Sequence, residues 1–340
     1  KSGIRATNTE KIHRDSCTSM AVISHQRTFI APDRSPHPVH SAMSFFLVSN
    51  GSPVQHEEHE AIVPWWSFTK TVLSAAALSL VRDGLVGLDD VVLDGPFTLR
   101  QLLRHEAGLA DYGELAEYHT AVARGEAPWT ADEMLERLDA ARLRYVPGVD
   151  WRYSNVGYMY VARLIERVTN LSLEEALMQQ AFAPLSLSGV RVAKVRTDLA
   201  DVCLGAASTY DPGWVYHGLL VGPLSTAALF LDHLLAGHFL PESLLREMQT
   251  ARALGGPIPG RPWTFPGYAL GLMQGAVDVG LTLCGHTGVG PGSVVAVYRC
   301  VHGANAASCA VFREGSDEGS VEAEVVNRLL VTLKSEKNND

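Results

Sequence analysis

A serine and a lysine three residues apart are the first residues in this sequence whose types and spacing could do chemistry. Ser67 and Lys70 follow Pro64-Trp65-Trp66, and the Ala-, Leu- and Val-rich stretch to Asp83 predicts a helix that begins near Ser67. Residues three apart on a helix share one face, so the two side chains can meet. A serine hydroxyl becomes a strong nucleophile when a base removes its proton, and a buried lysine that is partly uncharged can be that base. The alternative is a lysine whose charged end reaches solvent.

A tyrosine and an asparagine form the second candidate element. Tyr153 and Asn155 follow Pro147-Gly148 and lie where a helix is predicted to open and to run to about Thr169. A phenol at such a corner can project into a crevice, where beside an ammonium group it can ionise or relay a proton. The Asn155 amide can bind a substrate carbonyl. The alternative is a tyrosine at a packing interface beside a helix-capping asparagine.

The third candidate element, Gly285-His286-Thr287-Gly288, is predicted to lie at the end of a strand that starts near Leu281. Glycine at a strand edge lets a substrate backbone approach closely, and the next residue, Val289, can aim its backbone N–H at a developing oxyanion. Taken alone, a His-Thr-Gly strand end is an ordinary piece of sheet. Each of the three elements occurs once and in a fitting local context, and their combination favours acyl transfer through Ser67.

With these three elements the chain resembles the penicillin-recognising serine hydrolases, in the branch that holds class C β-lactamases, serine DD-peptidases and related esterases. The resemblance starts at about Ser44 and covers nearly all of the remaining chain. It implies that Ser67 is the acylated nucleophile and that Lys70 is the base that activates it. It also implies that Tyr153 shares the proton relay and protonates the leaving group, and that neither a metal nor another cofactor is needed.

The same resemblance implies how a substrate is held. Asn155 binds the acyl-side amide, and the backbone N–H groups of Ser67 and Val289 form an oxyanion hole. His286 and Thr287, followed by Gly288, hold the far end of the substrate.

One departure from the family pattern bears on the substrate. β-Lactamases of this branch usually have lysine where this chain has His286, and a neutral imidazole binds a β-lactam carboxylate weakly near pH 7. The sequence therefore favours a small-molecule ester, or a peptide or amide that contains D-amino acids. A class C-type β-lactamase and a catalytically silent penicillin-binding-like binding or assembly protein are the alternatives.

The elements that must position these residues come from both ends of the chain. Ser44 to Val48 predicts a strand that enters a hairpin at Asn50-Gly51, and the run from about residue 266 predicts an antiparallel meander. A last helix is predicted from Ser320 to about Lys334. The intervening stretch is mainly helical, and three pairs have capping-box spacing: Thr98 with Gln101, Thr130 with Glu133, and Ser172 with Glu175.

The pattern and the resemblance together predict an α/β (α+β) fold of the β-lactamase/transpeptidase type. In it an antiparallel sheet flanked by helices lies beside an all-α lobe, with the active site between them. The predicted parts are a loosely held lead-in (1–40), a sandwich lobe (41–66 with 266–340) and a mainly helical lobe (67–265).

Composition excludes several other classes. The 340 residues are 46% hydrophobic and 19% charged, which permits a large core and excludes wholesale disorder. The net charge of −9 argues against nucleic acid as a partner. No apolar run approaches the roughly 18 residues of a membrane-spanning helix. The compartment is expected to be the cytoplasm if the chain is complete and an exported one if a leader was removed, and the oligomeric state is open.

Metal and disulfide chemistry are not predicted. The five cysteines form no CxxC pair, which favours free thiols, although Cys300 and Cys309 could meet across a hairpin. His56-Glu57-Glu58-His59 lacks the HExxH spacing of a zinc-binding helix.

Overall fold

The computed structural model describes residues 43–56, 61–93, 95–205 and 209–336. The predicted lead-in, 1–40, and residues 57–59 of the His-Glu-Glu-His run lie outside these ranges. The described strands are β1 (Ser44–Ser49), β2 (Ser52–His56), β3 (Ile62–Pro64), β4 (Arg191–Ala193), β5 (Leu219–Pro223), β6 (Arg252–Ala253), β7 (Trp263–Tyr268), β8 (Met273–Val277), β9 (Thr282–Gly290), β10 (Ser293–His302) and β11 (Asn305–Glu314).

Most of the α-helices lie between β3 and β7 in the chain, and the last one follows β11. The described α-helices are α1 (Thr69–Arg82), α2 (Leu99–Leu103), α3 (Ala116–Ala123), α4 (Ala131–Arg137), α5 (Asn155–Thr169), α6 (Leu173–Leu177), α7 (Leu224–Leu235), α8 (Glu242–Gln249) and α9 (Glu318–Glu336). The predicted last helix is thus confirmed and is slightly longer at both ends. The predicted capping boxes of α2 and α6 are present in full, and Thr130 accepts a hydrogen bond from the Glu133 N–H at the start of α4.

Eight strands form one antiparallel sheet in the order β2-β1-β11-β10-β9-β8-β7-β6. The N-terminal hairpin is confirmed: Asn50 and Gly51 have φ values of 48° and 81°, as a tight turn between twisted strands requires. Because β1 pairs with β11, the first and the last described strands lie side by side in one sheet. The predicted antiparallel sheet flanked by helices is therefore confirmed.

Both faces of the central strands are covered. Alternate residues of a strand point to opposite faces, and on β10 Val295 and Val297 join the core on the α7 side, whereas Val294 and Tyr298 join the core that contains Val325 of α9. This explains why β10 reads as a continuous apolar run rather than an alternating one.

The sheet reaches further back along the chain than the predicted boundary at residue 266. Strands β4, β5 and β6 and the first residues of β7 lie within the stretch predicted to be helical, and β4 and β5 form a second sheet with β3 in the order β3-β5-β4. Helix α7 also packs on the large sheet, against β1, β10 and β11. Short apolar runs such as Leu219–Pro223 carry no periodicity that separates a strand from a buried helix segment, which is why the sequence did not resolve them.

Two smaller expectations also have outcomes. Cys300 and Cys309 are buried free thiols, and in the register of β10 and β11 they face Ala307 and Tyr298 rather than each other. Among the helices in the described ranges, none combines the length and apolar character of a membrane span.

Candidate active site

Ser67 lies in a tight turn that feeds directly into α1. Trp66–Phe68 form a single turn of 3₁₀ helix, and Trp66 has a φ of 41°, an unusual value for a bulky residue. Strand β9 passes so close that a Cβ added at Gly288 would lie 2.7 Å from the Ser67 backbone nitrogen. The absence of a side chain at Gly288 therefore makes room for the turn that carries Ser67.

The structure brings the three predicted catalytic side chains together. Lys70 Nζ lies 3.2 Å from Ser67 Oγ, and the Tyr153 hydroxyl donates to the same oxygen at 2.9 Å. Lys70 is on the first turn of α1, and Tyr153 immediately precedes the N-cap of α5. Ser67 Oγ is thus in hydrogen-bond contact with one candidate base and one candidate acid.

Lys70 is completely buried, which excludes the alternative of a lysine that reaches solvent. Burial lowers the pKa of Lys70 from 10.5 to about 7, while the Asp111 carboxyl opposes that change. The ammonium also lies 5.0 Å from the ring centre of Tyr153 and 5.7 Å from that of Tyr158. A large fraction of Lys70 is consequently a free amine at neutral pH, which is the state that can accept the Ser67 proton.

His217 is a member of this cluster that the sequence did not reveal. Its Nε2 lies 3.3 Å from Lys70 Nζ, and the ring is buried. It sits in the turn that leads into β5, far from the three elements in sequence, and no spacing or motif pointed to it. We refer to Ser67, Lys70, Tyr153 and His217 as the reactive cluster.

Tyr153 is held by aromatic neighbours. Its ring centre lies 4.3 Å from that of His105, which accepts a hydrogen bond at Nδ1 from the Ser154 N–H. Burial raises the pKa of Tyr153 well above 10, so the phenol keeps its proton and acts as a donor. An ionised Tyr153, which the sequence left open, is disfavoured. The N-cap of α5 is Ser154, not Asn155.

The Asn155 side chain is hydrogen-bonded to Asp111. Its backbone N–H donates to Asp111 Oδ1 at 2.9 Å and its Nδ2 to Asp111 Oδ2 at 3.3 Å. Burial raises the pKa of Asp111. Asp111 is a second residue of the site that the sequence did not reveal. Binding of a substrate amide by Asn155 stays a prediction.

His286 and Thr287 lie inside β9 rather than at its end, because the strand continues to Gly290. The His286 Nδ1–H donates to the Thr287 carbonyl at 2.7 Å, so Nε2 is the acceptor for the Tyr268 hydroxyl at 3.0 Å. Burial lowers the pKa of His286 to about 3. The imidazole is therefore neutral at physiological pH, and both of its nitrogens have protein partners.

The hydroxyl of Thr287 is hydrogen-bonded to Glu322, which forms a buried ion pair with Arg261. It donates to Glu322 Oε1 and lies 2.7 Å from the Tyr298 hydroxyl. Glu322 also accepts from Arg261, whose side chain is only 7% exposed, and from Trp263 at 3.0 Å. We call Arg261, Trp263, Thr287, Tyr298 and Glu322 the arginine network.

Comparison with known proteins identifies the class that this fold and site define. A model of the β-lactamase family, described as "Beta-lactamase", matches residues 40–307. The chain therefore belongs to the β-lactamase family, as the resemblance predicted.

Two relatives are similar to part of the chain. The chain is 27% identical to lovastatin esterase of Penicillium rubens over 181 residues, which is 43% of each protein. It is 30% identical to D-aminopeptidase of Brucella ovis over 168 residues, 47% of this chain and 31% of the relative. The chain thus matches under half of the length of these relatives.

A solved structure supports the fold over a longer range. The D-stereospecific amidohydrolase from Streptomyces sp. superimposes with a TM-score of 0.67 at 23% identity, covering 84% of this chain and 93% of that chain. At this identity the likeness shows a shared fold.

Proposed function

We propose that this protein is a serine acyl hydrolase that cleaves esters, or amides and peptides of D-amino acids, through an acyl-Ser67 intermediate. The observation that carries the proposal is the contact of Ser67 Oγ with both a buried lysine amine and a tyrosine hydroxyl. The membership in the β-lactamase family and the likeness to an esterase and a D-aminopeptidase support it.

The proposed reaction begins with proton transfer. The uncharged Lys70 amine takes the Ser67 hydroxyl proton while Oγ forms a bond to the substrate carbonyl carbon, and the carbonyl electrons move to oxygen. The backbone N–H groups of Ser67 and Val289 stabilise this oxyanion. When the oxyanion collapses, the bond to the leaving group breaks. Tyr153 gives its proton to the leaving group and regains one from the Lys70 ammonium. Water then attacks the acyl-serine with the same groups in reverse roles.

The charges around β9 favour a leaving group without a carboxylate. Both nitrogens of His286 and the hydroxyl of Thr287 already have protein partners, and His286 is neutral. Arg261 behind the strand is committed to Glu322 and Glu318. Among the described residues, the cations that act on His286 are Arg261 and Lys70, and Lys70 is the proposed base. Neither is free to pair with an anionic group placed beside His286, which disfavours β-lactams and peptides with a free C-terminal carboxylate.

A side-by-side rate comparison tests the substrate class. We expect kcat/KM for a nitrophenyl ester or D-phenylalanine amide to exceed that for a chromogenic cephalosporin by at least about 100-fold, since losing a paired charge costs several kcal/mol. A cephalosporin rate equal to the better of the other two would contradict this substrate assignment and support a β-lactamase.

Covalent labelling tests the nucleophile independently of turnover. A fluorophosphonate probe should add to Ser67, detected by peptide mass spectrometry, and labelling should vanish in Ser67→Ala. Ser79→Ala is the matched control, because Ser79 is a buried serine of α1, the helix that follows Ser67, and its hydroxyl donates to the Ala76 carbonyl and to the Gln180 side chain. Stoichiometric labelling without turnover of any substrate would indicate a binding protein, and the absence of both would refute the proposed function.

A further inference from the structure

His217 contacts the Lys70 amine but has no role in the proposed reaction steps. It lies in the turn from Val215 to Gly218, which is closed by a hydrogen bond from the Gly218 N–H to the Val215 carbonyl at 2.8 Å. The ring is 3% exposed, and its Nε2 lies 3.3 Å from Lys70 Nζ. The amine is therefore contacted by Ser67 Oγ on one side and by an imidazole nitrogen on another.

We infer that His217 is a positioning residue whose Nε2 accepts one N–H of Lys70 and thereby turns the lone pair of the amine toward Ser67. The inference rests on the proposed function, because it concerns how the base is oriented. A free amine has two N–H groups and one lone pair. When one N–H is directed to His217, the lone pair is restricted to the remaining directions, one of which leads to Ser67 Oγ.

The direction of the Lys70–His217 hydrogen bond determines the tautomer of His217. If Nε2 accepts, the single proton of the neutral ring is on Nδ1. Burial and the charge of Lys70 hold the pKa of His217 well below 6.5, so a neutral ring is the favoured state. Nδ1 has no hydrogen-bond partner among the described residues, so no competing contact fixes the opposite tautomer.

His217 accepts from Lys70 before and after proton transfer. The ammonium that forms when Lys70 takes the Ser67 proton keeps an N–H directed at Nε2, and a bond to a charged donor is stronger than one to a neutral donor. His217 thus stabilises the protonated base without donating or removing a proton itself. Among the described residues, the titratable or polar groups that contact the Lys70 amine or interact with its charge include Ser67, Tyr153, Tyr158, His217, Asp111, His105 and His286.

The other buried polar groups near Lys70 do not offer this contact. The described hydrogen bonds of Asp111 come from Asn155, and Nε2 of His286 is occupied by Tyr268. His105 Nδ1 accepts from Ser154. Among these groups, His217 is the one with a nitrogen within hydrogen-bond distance of Nζ.

Two variants separate positioning from simple space filling. In His217→Leu we expect kcat/KM for the nitrophenyl ester to fall about 10- to 100-fold, because the amine loses its orientation. The acid limb of the pH profile should move to lower pH, because an acceptor for the ammonium is gone. At pH 6 the Leu variant should then retain a roughly five-fold larger fraction of its plateau than the wild type. His217→Gln keeps a neutral acceptor and should recover most of the loss.

A matched control tests whether loss of a buried contact by itself moves the acid limb of the pH profile. Asp232→Asn disturbs another buried contact, with Ser308 and Arg299, and should leave the acid limb where it is. An acid limb of His217→Leu that stays in place or moves to higher pH would overturn the inference. An inactive wild type would instead overturn the proposed function, and the inference would fall with it.

A measurement on the wild type covers the case in which the Leu variant does not fold. Nitrogen-15 NMR of the histidine rings, with His217 assigned by comparison with His217→Gln, should show a neutral ring protonated at Nδ1 at pH 7 to 8. A ring protonated at Nε2 would point its N–H at Lys70 and contradict the inference.

Discussion

Lys70 and Arg261 are both buried basic side chains next to the candidate site, but the charges of the groups that contact them differ. Described contacts of Lys70 Nζ are to the uncharged groups Ser67 and His217, and burial lowers its pKa to about 7. Arg261 pairs with Glu322 and Glu318. Burial acts to lower the pKa of Arg261, but the two carboxylates outweigh it and raise that pKa.

The backbone shows the same contrast. Non-glycine residues with positive φ lie next to the reactive cluster, at Trp66 beside Ser67 and at His105 against the Tyr153 ring, whereas the positive φ next to Arg261 is at Gly260, where it causes no strain. Strained residues and unpaired buried groups cost stability and persist where the surrounding structure holds them. The comparison indicates that the arginine network supports β9 with paired charges and hydrogen-bonded side chains. In the reactive cluster, by contrast, Lys70 has no carboxylate among its described hydrogen-bond partners, so it can lose its proton.

The largest expected effect is the loss of the base. Lys70→Ala should lower kcat/KM for the nitrophenyl ester by about 10³- to 10⁴-fold, because the other described group that contacts Ser67 Oγ is the protonated Tyr153 hydroxyl, which cannot take its proton. Lys70→Arg should lower it as much, since a guanidinium stays charged. Steady-state kinetics measure both.

Lys334→Met is the matched control for removal of a lysine, because Lys334 is exposed on α9, and it should leave the rate unchanged. Appreciable activity in Lys70→Arg would show that charge rather than proton transfer is what Lys70 supplies, and the comparison with Arg261 would lose its basis.

The second expected effect is on stability. Glu322→Leu leaves Arg261 without its main partner and Trp263 without an acceptor, and should lower the free energy of unfolding by about 3–5 kcal/mol in a denaturant titration. The double variant Arg261→Met with Glu322→Leu should regain part of that loss, because it removes both members of the buried pair and leaves only Glu318, which is 20% exposed, without its cation. Equal stability of the single and double variants would mean that the ion pair is not what makes Glu322 important.

The third expected effect is a shift in pH dependence. The wild-type kcat/KM should fall as pH drops through about 7, because Lys70 is then protonated and cannot act as a base. A limb near 7 is usually assigned to histidine, but the pKa values of His105, His217 and His286 are all lowered.

Asp111→Asn sharpens this assignment. Removing the nearby negative charge disfavours the Lys70 ammonium, so the acid limb should move to lower pH. The variant at pH 6 should keep a roughly two- to five-fold larger fraction of its plateau rate than the wild type. A limb that moves to higher pH would show that Asp111 does not act on Lys70 through its charge.

The parts of the site that could be predicted share a local signature. Ser67 and Lys70 are three residues apart at the start of α1, and Tyr153 immediately precedes the Ser154 N-cap of α5. Short-range spacing in the sequence therefore predicts these positions. The antiparallel sheet was predictable for the same reason, since strand runs and hairpin turns are local patterns.

The parts that could not be predicted depend on contacts between distant segments. His217 reaches Lys70 across 147 residues, and Glu322 reaches Thr287 from α9. Neither residue belongs to a motif, and neither a histidine just before an apolar run nor a glutamate on a helix with other glutamates has a spacing that predicts its partner. The role of Gly288 was also hidden, because only the packed structure shows that the Ser67 turn occupies the space beside it.

The smallest expected effect comes from removing one hydroxyl from the arginine network. In Tyr298→Phe, Glu322 keeps its hydrogen bonds from Arg261, Trp263 and Thr287, so the free energy of unfolding should fall by only about 1 kcal/mol. The rate should stay within about three-fold, because Tyr298 does not touch the reacting atoms.

Tyr153→Phe makes the same chemical change in the reactive cluster and should have the opposite profile. Stability should change by less than about 1 kcal/mol, because the lost hydroxyl has its described hydrogen bond with Ser67. The rate should fall about 10²- to 10⁴-fold, because the leaving group loses its proton donor. Denaturant titration and steady-state kinetics on both variants give the four numbers needed. If Tyr298→Phe slowed the reaction as much as Tyr153→Phe, the arginine network would take part in the chemistry, and the division between a support and a reactive cluster would be wrong.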